Sequence, residues 1–171
     1  MQKQPPHIIF GLLTSAVLML CISSIYLYKV NVTPNAQTAL LAIIIAVGVL
    51  VSCYFFASQN AIATPLTIFI NGFRTTAIIA VILIVFGVVI ISTVPSIKQN
   101  MVTIFATQLQ VDNTTNTTPQ AAIDAQVAQY KSRFTTLFVG LNTMRILIAG
   151  AVSSAVAVVL FIFTQKKKTH A

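Results

Sequence analysis

Four stretches of the 171-residue chain contain no Asp, Glu, Lys, Arg or His, and each is about as long as a helix that crosses a lipid bilayer. They cover residues 8–28, 39–57, 75–94 and 146–164. A helix rises about 1.5 Å per residue, so about 20 apolar residues span the roughly 30 Å hydrocarbon layer. The sequence therefore predicts an all-α integral membrane protein, in which four spans form one helix bundle and residues 1–171 form a single membrane domain.

The composition of the chain also indicates a membrane protein. Hydrophobic residues make up 57% and charged residues only 7%, whereas a soluble domain carries about 25% charged residues. The net charge of +8 comes from ten Lys and Arg against Asp112 and Asp124. In a soluble protein such an excess would indicate nucleic acid as a partner. Here the cations lie mainly at span ends, where they meet lipid headgroups, so the predicted partner is the lipid bilayer and not nucleic acid.

The distribution of cations also predicts the orientation. Four spans place both termini on one side of the membrane. Lys3, Arg74 and the run 166–168 flank that side, and five other cations flank the opposite side: Lys29, Lys98, Lys131, Arg133 and Arg145. The counts are equal, but three lysines directly follow the fourth span and both aspartates lie in the opposite segment. Because Lys and Arg near span ends are enriched in the cytoplasm, we expect both termini to be cytoplasmic.

The segment 95–143, between spans three and four, is polar but patterned. Apolar residues recur at helical spacing on both sides of an Asn/Thr-rich break at 111–118, which indicates two amphipathic helices. The first arm carries Ile97, Met101, Ile104, Phe105 and Leu109; the second carries Ile123, Val127, Tyr130, Phe134, Leu137, Phe138 and Leu141. We expect an extramembrane helical hairpin in which each arm covers the stripe of the other. The alternative is that both arms lie flat in the headgroup region.

Prolines and glycines predict how the segments join. Pro119 is a favoured first helical residue, and no strong helix breaker follows it up to Thr164, so the second arm is expected to continue into span four as a helix of about 46 residues, roughly 70 Å. Pro95 is expected to kink the first arm. Residues 58–74 are predicted to lie at the membrane interface and to lead directly into span three. Gly72 is expected at a bend there or at a close contact between helices.

The order of several short motifs resembles that of a bacterial family. The motifs are a short first turn, Phe69-Ile-Asn-Gly-Phe-Arg74, Pro95, Ala128-Gln-Tyr-Lys-Ser-Arg-Phe134, and Ala149-Gly-Ala-Val-Ser-Ser154 followed by terminal lysines. Over nearly the whole chain this order is similar to the four-span domain-of-unknown-function family 4199, common in Bacteroidota. The resemblance implies a location in the cell inner membrane and no established activity, and it carries over no catalytic residue.

A face of small residues is predicted on the fourth span. Gly150 and Ser154 are four positions apart, and Ala149, Ser153 and Ala157 lie alongside. Such a pattern allows two helices to approach closely. We expect it to serve packing within the bundle, and the alternative is self-association into a homo-oligomer.

Five cations at the edges of spans are predicted to be membrane-interface anchors. Arg74 lies at the inner edge of span three, Arg145 at the outer edge of span four, and Lys166, Lys167 and Lys168 follow span four. Long cationic side chains at such positions extend to the headgroups. Binding of an anionic lipid or of a partner is the more specific alternative.

Four further side chains are expected to serve packing. Cys21 and Cys53 lie inside the first and second spans, where a thiol behaves as a small hydrophobic group. Asn71 and Asn142 lie near span edges, where an amide more often caps a helix or bonds to a neighbouring helix than binds a ligand.

The sequence predicts no catalytic, cofactor-binding or metal-binding residue. An enzyme needs a positioned acid, base, nucleophile or metal, whereas the chain has no Glu and both aspartates lie in 95–143. A transporter coupled to protons or cations normally keeps an acidic residue or a histidine in the membrane, and the predicted spans contain neither. We therefore expect a structural or accessory membrane protein with 95–143 as a docking surface; a passive pore or small-solute carrier lined by Ser and Thr is the alternative.

Overall fold

The structure is all-helical. The computed structural model describes residues 5–27, 34–60, 62–113 and 119–169, and within these ranges it contains five α-helices and no β-strand. The helices are α1 (Pro6–Leu27), α2 (Pro34–Gln59), α3 (Pro65–Thr93), α4 (Pro95–Asn113) and α5 (Gln120–Thr169). The stretches long and apolar enough to cross a membrane are Pro6–Ile25, Ala36–Gln59, Pro65–Thr93 and Gln120–Thr164. The all-α class and the four spans are thereby confirmed, and the chain is a multi-pass membrane protein.

Prolines mark where the helices begin. Each of α1 to α4 starts at a proline, and α5 starts one residue after Pro119. Proline suits this position because its fixed φ is helical and its missing N–H would have had no partner inside the helix. At α3 a cap is added, because the Thr67 backbone N–H donates to Thr64 Oγ1 at 3.3 Å. The helix starts therefore follow from local sequence.

Helix α3 begins earlier than the third predicted span. The sequence predicts an interfacial piece at 58–74 and a span from 75, whereas one helix runs from Pro65 to Thr93. It continues through Gly72, and the Thr76 hydroxyl donates to the Gly72 carbonyl at 3.0 Å. Of the two roles expected for Gly72, the bend is wrong. Arg74 consequently lies nine residues after the helix start, about 14 Å along the axis.

The two ends of the 95–143 segment behave differently. Helix α3 stops at Thr93 and α4 starts at Pro95, so the chain breaks at Val94 rather than kinking. Proline removes a backbone donor and disfavours the helical conformation of the residue before it. Helix α5 is a single helix of 50 residues, about 75 Å long, in agreement with the expected continuity. The predicted turns at 29–36 and 111–118 lie largely outside the described residues.

The chain packs as two compact units. The first contains Met1–Leu83 and Thr143–Ala171, and the second contains Ile84–Asn142. Because α3 and α5 each contribute residues to both units, this division does not test the predicted single domain of residues 1–171.

The first unit has a small core and an apolar exterior. Its core includes Leu18, Ile45, Val49, Ile68 and Ile79. In the apolar windows of the four candidate spans, only 22% to 28% of the residues are buried. Many large apolar side chains of the spans are exposed, among them Leu20, Val47 and Val81, whereas a soluble monomer rarely exposes large contiguous apolar patches. Lipid is therefore the solvent that fits this surface.

Candidate functional site

Helices α3 and α5 contact each other through a glycine on each side. A Cβ added at Gly72 would lie 2.9 Å from the Cβ of Ser154, and one added at Gly150 would lie 2.6 Å from the Cβ of Thr76. Nonbonded carbon atoms do not approach so closely, because their attraction is best at about 3.5–4.0 Å. Glycine at both positions is what allows the two backbones to come together.

The other predicted packing residues lie on the same part of α5. Ser153, Ser154 and Ala157 are buried, and Ala149 is half-buried. The hydroxyls of Ser153 and Ser154 each donate to the carbonyl four residues earlier, at 2.7 Å. Both hydroxyls are therefore satisfied within α5, and it is their small size that serves the contact. Because the single chain already buries this face, a homo-oligomer formed through it would require the contact with α3 to open.

A buried polar cluster, formed by Ser52, Asn71 and Thr75, joins α2 to α3. The Asn71 Nδ2 donates to Ser52 Oγ at 3.0 Å, and Ser52 Oγ lies 2.8 Å from Thr75 Oγ1. The Thr75 hydroxyl also lies 2.9 Å from the Asn71 carbonyl, to which it can donate. Asn71 thus makes the interhelical bond expected for it. The sequence analysis did not identify Ser52 or Thr75.

One acceptor of the cluster is unpaired. Asn71 is 2% exposed, and its Oδ1 has no hydrogen-bond partner among the described residues. Next to Ser52, the Cys53 thiol lies 3.5 Å from the Ile68 carbonyl, to which it donates. Cys21 and Cys53 are both free thiols, and Cys53 is buried. The cluster consists of neutral amide and hydroxyl groups, which suit hydrogen bonding between helices.

A second close contact joins α1 to its neighbours. A Cβ added at Gly48 would lie 2.9 Å from the Cβ of Thr14, and one at Gly11 would lie 2.9 Å from Ile78 Cγ2. Glycines on α1 and α2 therefore repeat the mode of packing found between α3 and α5. Neither glycine was predicted to serve this role.

The predicted anchors lie on the outer surface where they are described. The side chains of Arg74 and Arg145 are exposed, on α3 and α5 respectively. The backbone of 166–168 continues α5, but the side chains of Lys166, Lys167 and Lys168 lie outside the described part of the chain. Their role as interface anchors stays a prediction.

An aromatic column runs through the second unit. The rings of Phe105 on α4 and Tyr130 on α5 stack with centroids 4.2 Å apart. Tyr130 meets Phe134 edge to face at 5.8 Å, and Phe134 stacks on Phe138 at 5.7 Å. Phe134 is 1% exposed. Asn142, the other asparagine singled out by sequence, donates to the Phe138 carbonyl at 2.8 Å within its own helix.

The chemistry available to these groups is packing and neutral hydrogen bonding. Among the described residues, no three of His, Cys, Asp or Glu come together as metal ligands. No family model, curated protein or solved structure matches this chain. The resemblance to the bacterial family 4199 therefore rests on the motifs alone and stays a prediction.

Proposed function

We propose that this chain is a small accessory membrane protein, in which the segment 95–143 forms a helical hairpin outside the bilayer that binds a protein partner. The observation that carries the proposal is the stack of Phe105 on Tyr130. This contact closes α4 on the first part of α5. Within the two arms Ile97, Ile123 and Phe134 are buried, whereas Ile104, Leu137 and Leu141 are exposed. The polar faces of the arms are left to meet a partner.

The aromatic column also favours a projecting hairpin over two arms lying flat. In the flat arrangement each stripe would face the headgroup and acyl boundary. Phe134 would then contact lipid, whereas it is buried among Tyr130 and Phe138. Phe134 is therefore already occupied by contacts within the second unit and does not serve as a membrane-binding residue.

The charges on the hairpin indicate the kind of partner. Lys131 and Arg133 are exposed on α5. Asp124 is also exposed there, and its Oδ1 accepts a bond from Gln120 at 3.1 Å. A partner with an acidic surface would be attracted to the two cations, since complementary charge sets orientation and speeds association.

Photo-crosslinking in the native membrane tests this function. A photoreactive amino acid at position 131 should give one adduct of defined mass, and the same amino acid at Val81, on the outer surface of α3, should not. Reversal of both charges, Lys131→Glu with Arg133→Glu, should remove the adduct. Equal crosslinking from positions 131 and 81, or an adduct that survives the charge reversal, would contradict docking through the hairpin.

The proposed location is the cell inner membrane of a bacterium, with both termini in the cytoplasm and the hairpin outside it. The lysines after Thr164 support this orientation, and the resemblance to family 4199 supports the location. In intact cells, a membrane-impermeant thiol reagent should label Arg133→Cys and leave Lys168→Cys unlabelled. The reverse pattern would place the hairpin in the cytoplasm.

A passive pore or small-solute carrier is the alternative function. The observation in its favour is a set of buried hydroxyls in the spans, among them Ser15, Ser52 and Thr75. These groups already bond within the bundle: Ser15 donates to the Gly11 carbonyl at 2.7 Å, and Ser52 lies 2.8 Å from Thr75 Oγ1. Reconstituted vesicles should therefore show no flux of small polar solutes. Flux that responds to Ser52→Ala would favour the carrier.

A further inference from the structure

Contacts made by two glycines fix the relative depth of α3 and α5 in the first unit. A Cβ added at Gly72 would meet Ser154, and one added at Gly150 would meet Thr76. Rising residue numbers on α3 therefore pair with falling numbers on α5, so the two helices are antiparallel. Each position after Gly72 on α3 is then level with the same number of positions before Ser154 on α5.

The candidate span of α3 has its middle close to the level of Arg145. That span, Pro65–Thr93, has its midpoint at residue 79, seven positions after Gly72. The level residue on α5 is seven positions before Ser154, at 147. Arg145 is only two residues away, about 3 Å along the helix axis. If Arg145 instead lay at the edge of the hydrocarbon layer, nearly half of the α3 span would lie outside that layer.

Helix α1 gives nearly the same level. Its candidate span, Pro6–Ile25, has its midpoint at residues 15–16, and Gly11 lies against Ile78 of α3. Helices α1 and α3 cross the membrane in the same direction, because one span separates them in the chain. The midpoint of α1 is therefore level with residues 143–144 of α5.

Helix α2 gives a level only a few residues away. Its candidate span, Ala36–Gln59, has its midpoint at residues 47–48. A Cβ added at Gly72 would lie 2.9 Å from Cys53 Sγ as well as from Ser154, so Cys53 is level with that part of α5. Helices α2 and α5 run in the same direction, and the midpoint of α2 is therefore level with residues 148–149 of α5.

Arg145 is thus level with the middle of three candidate spans, within about 6 Å by each of them. An arginine near the edge of a bilayer extends to the headgroups, whereas one near the middle requires water, local thinning of the bilayer or an opposite charge. Arg145 is exposed on α5 and is not turned into the bundle. The first unit, Met1–Leu83 and Thr143–Ala171, contains no Asp or Glu. This unit therefore has no carboxylate side chain to neutralise the guanidinium.

Apolar side chains surround Arg145 on the outer face of α5. Met144, Ile148 and Val152 are 62%, 54% and 59% exposed. Ile148 and Val152 follow Arg145 by three and seven residues, which places all three on one face of the helix. One cation in an apolar face at this depth is complementary to a membrane helix that carries one carboxylate.

We propose that Arg145 binds a carboxylate in the middle of a transmembrane helix of another protein, and that this helix packs along Ile148 and Val152. Depth favours a carboxylate over a lipid phosphate, because the phosphates lie beyond the edges of the layer, about 15 Å from its middle. A second copy of the chain brings no Asp or Glu in its first unit. The partner is therefore a different membrane protein with Asp or Glu in a span. This contact and docking through the hairpin can fail independently.

Association with model transmembrane peptides tests the charge. The full chain, labelled with a donor dye, is reconstituted in phosphatidylcholine vesicles with an acceptor-labelled Leu/Ala helix of about 20 residues that has either Asp or Leu at its centre. Energy transfer should show about tenfold tighter association with the Asp peptide. Arg145→Leu should lose this preference, whereas the control Arg74→Leu, which removes an exposed arginine of α3, should keep it.

A charge swap separates pairing from general packing. Arg145→Asp should associate with a peptide that has Arg at its centre and no longer prefer the Asp peptide. Equal binding of the Asp and Leu peptides by the unaltered chain, or equal effects of Arg145→Leu and Arg74→Leu, would overturn the proposal. Loss of the preference when phosphatidylglycerol replaces part of the phosphatidylcholine would identify a lipid phosphate as the occupant and would also contradict it.

Fluorescence quenching measures the depth separately. The chain contains no tryptophan, so a single introduced tryptophan reports its own depth through quenching by lipids brominated at chosen acyl positions. Ile148→Trp should be quenched most by bromine near the ends of the acyl chains, and Leu66→Trp, one residue after the start of α3, most by bromine near the headgroups. Both side chains are exposed, and circular dichroism and gel filtration show whether each variant folds. Strongest quenching of both by bromine near the headgroups would place Arg145 at the edge of the layer and overturn the proposal.

Discussion

In the first unit, α3 and α5 meet at Gly72 and Gly150, whereas in the second unit α4 and α5 meet at Phe105 and Tyr130, whose ring centroids are 4.2 Å apart. Small residues bring helix backbones close in one unit, and large aromatic rings fill the space between helices in the other. If the hairpin lies outside the bilayer as we propose, the difference follows from the solvent. In lipid, moving a phenyl ring from the outside of a helix bundle to its inside lowers the free energy little, because both places are apolar. Association of helices there depends mainly on close backbone packing and hydrogen bonds. In water, burial of the same ring is strongly favourable.

The largest expected effect lies in the second unit. Phe134→Ala removes a fully buried ring and should destabilise the packing of α4 on α5 by about 3–5 kcal/mol. Hydrogen exchange should show faster exchange of α4 amides, with little change in α1 and α2. The control is Phe163→Ala, because Phe163 is 65% exposed on α5. If both variants have the same effect, the aromatic column does not hold the second unit together.

The next effect tests close packing in the first unit. A Cβ at Gly150 would overlap Thr76, so Gly150→Leu should cost about 1–3 kcal/mol through overpacking. Gly140→Leu is the matched control on the same helix, because a Cβ there meets no atom within 4 Å. It should be neutral or stabilising, since glycine is about 1 kcal/mol less favourable than alanine inside a helix. Unfolding in sodium dodecyl sulfate measures both, and equal midpoints would contradict the role of Gly150.

The smallest effect concerns the hydroxyls of the first unit. Ser52→Ala removes the contact with Thr75 and the bond from Asn71, and we expect a loss of about 0.6 kcal/mol, typical of polar contacts between helices in membranes. Ser92→Ala is the control, because its exposed hydroxyl bonds only to the Val88 carbonyl of its own helix. A double-mutant cycle with Thr75→Ala should show coupling between positions 52 and 75. If the effects of the two single substitutions on stability simply add, the 2.8 Å contact between Ser52 and Thr75 contributes nothing to stability.

The helices themselves are largely encoded in local sequence. Uncharged stretches of bilayer length identify all four spans, and Pro119 marks a helix start that the structure reproduces. Pro95 also lies at a helix start, where the sequence predicted a kink. These features depend on neighbours along the chain, which is why they can be recognised in the sequence. The exception is α3, where the apolar residues before Arg74 join the span, because helix propagation through Gly72 keeps its backbone bonds intact.

The sequence indicates single residues that serve contacts between helices, among them Gly72, but not which residues meet each other. Gly150 and Ser154 stand out because their spacing places small residues on one face of α5. Nothing in the chain indicates that Gly72 and Thr76 lie opposite, or that Ser52 meets Asn71 and Thr75. A small or hydroxyl residue can face either lipid or a neighbouring helix. Because these spans are apolar on every face, their sequence does not show which face meets a neighbour.

By itself, the sequence determined that lipid solvates four helices, that the segment 95–143 is patterned as two amphipathic arms, and that the predicted spans contain no Asp, Glu, Lys, Arg or His. Only the tertiary structure decided which small residues touch, that Asn71 lies buried between α2 and α3 with one acceptor unpaired, and that Arg145 is level with the middle of the first three candidate spans. The physical reason is the distance along the chain over which each effect acts. Hydropathy and helix propensity act within a few turns of one helix. A contact between α3 and α5 instead depends on the rotation and depth of two helices that lie far apart in the chain.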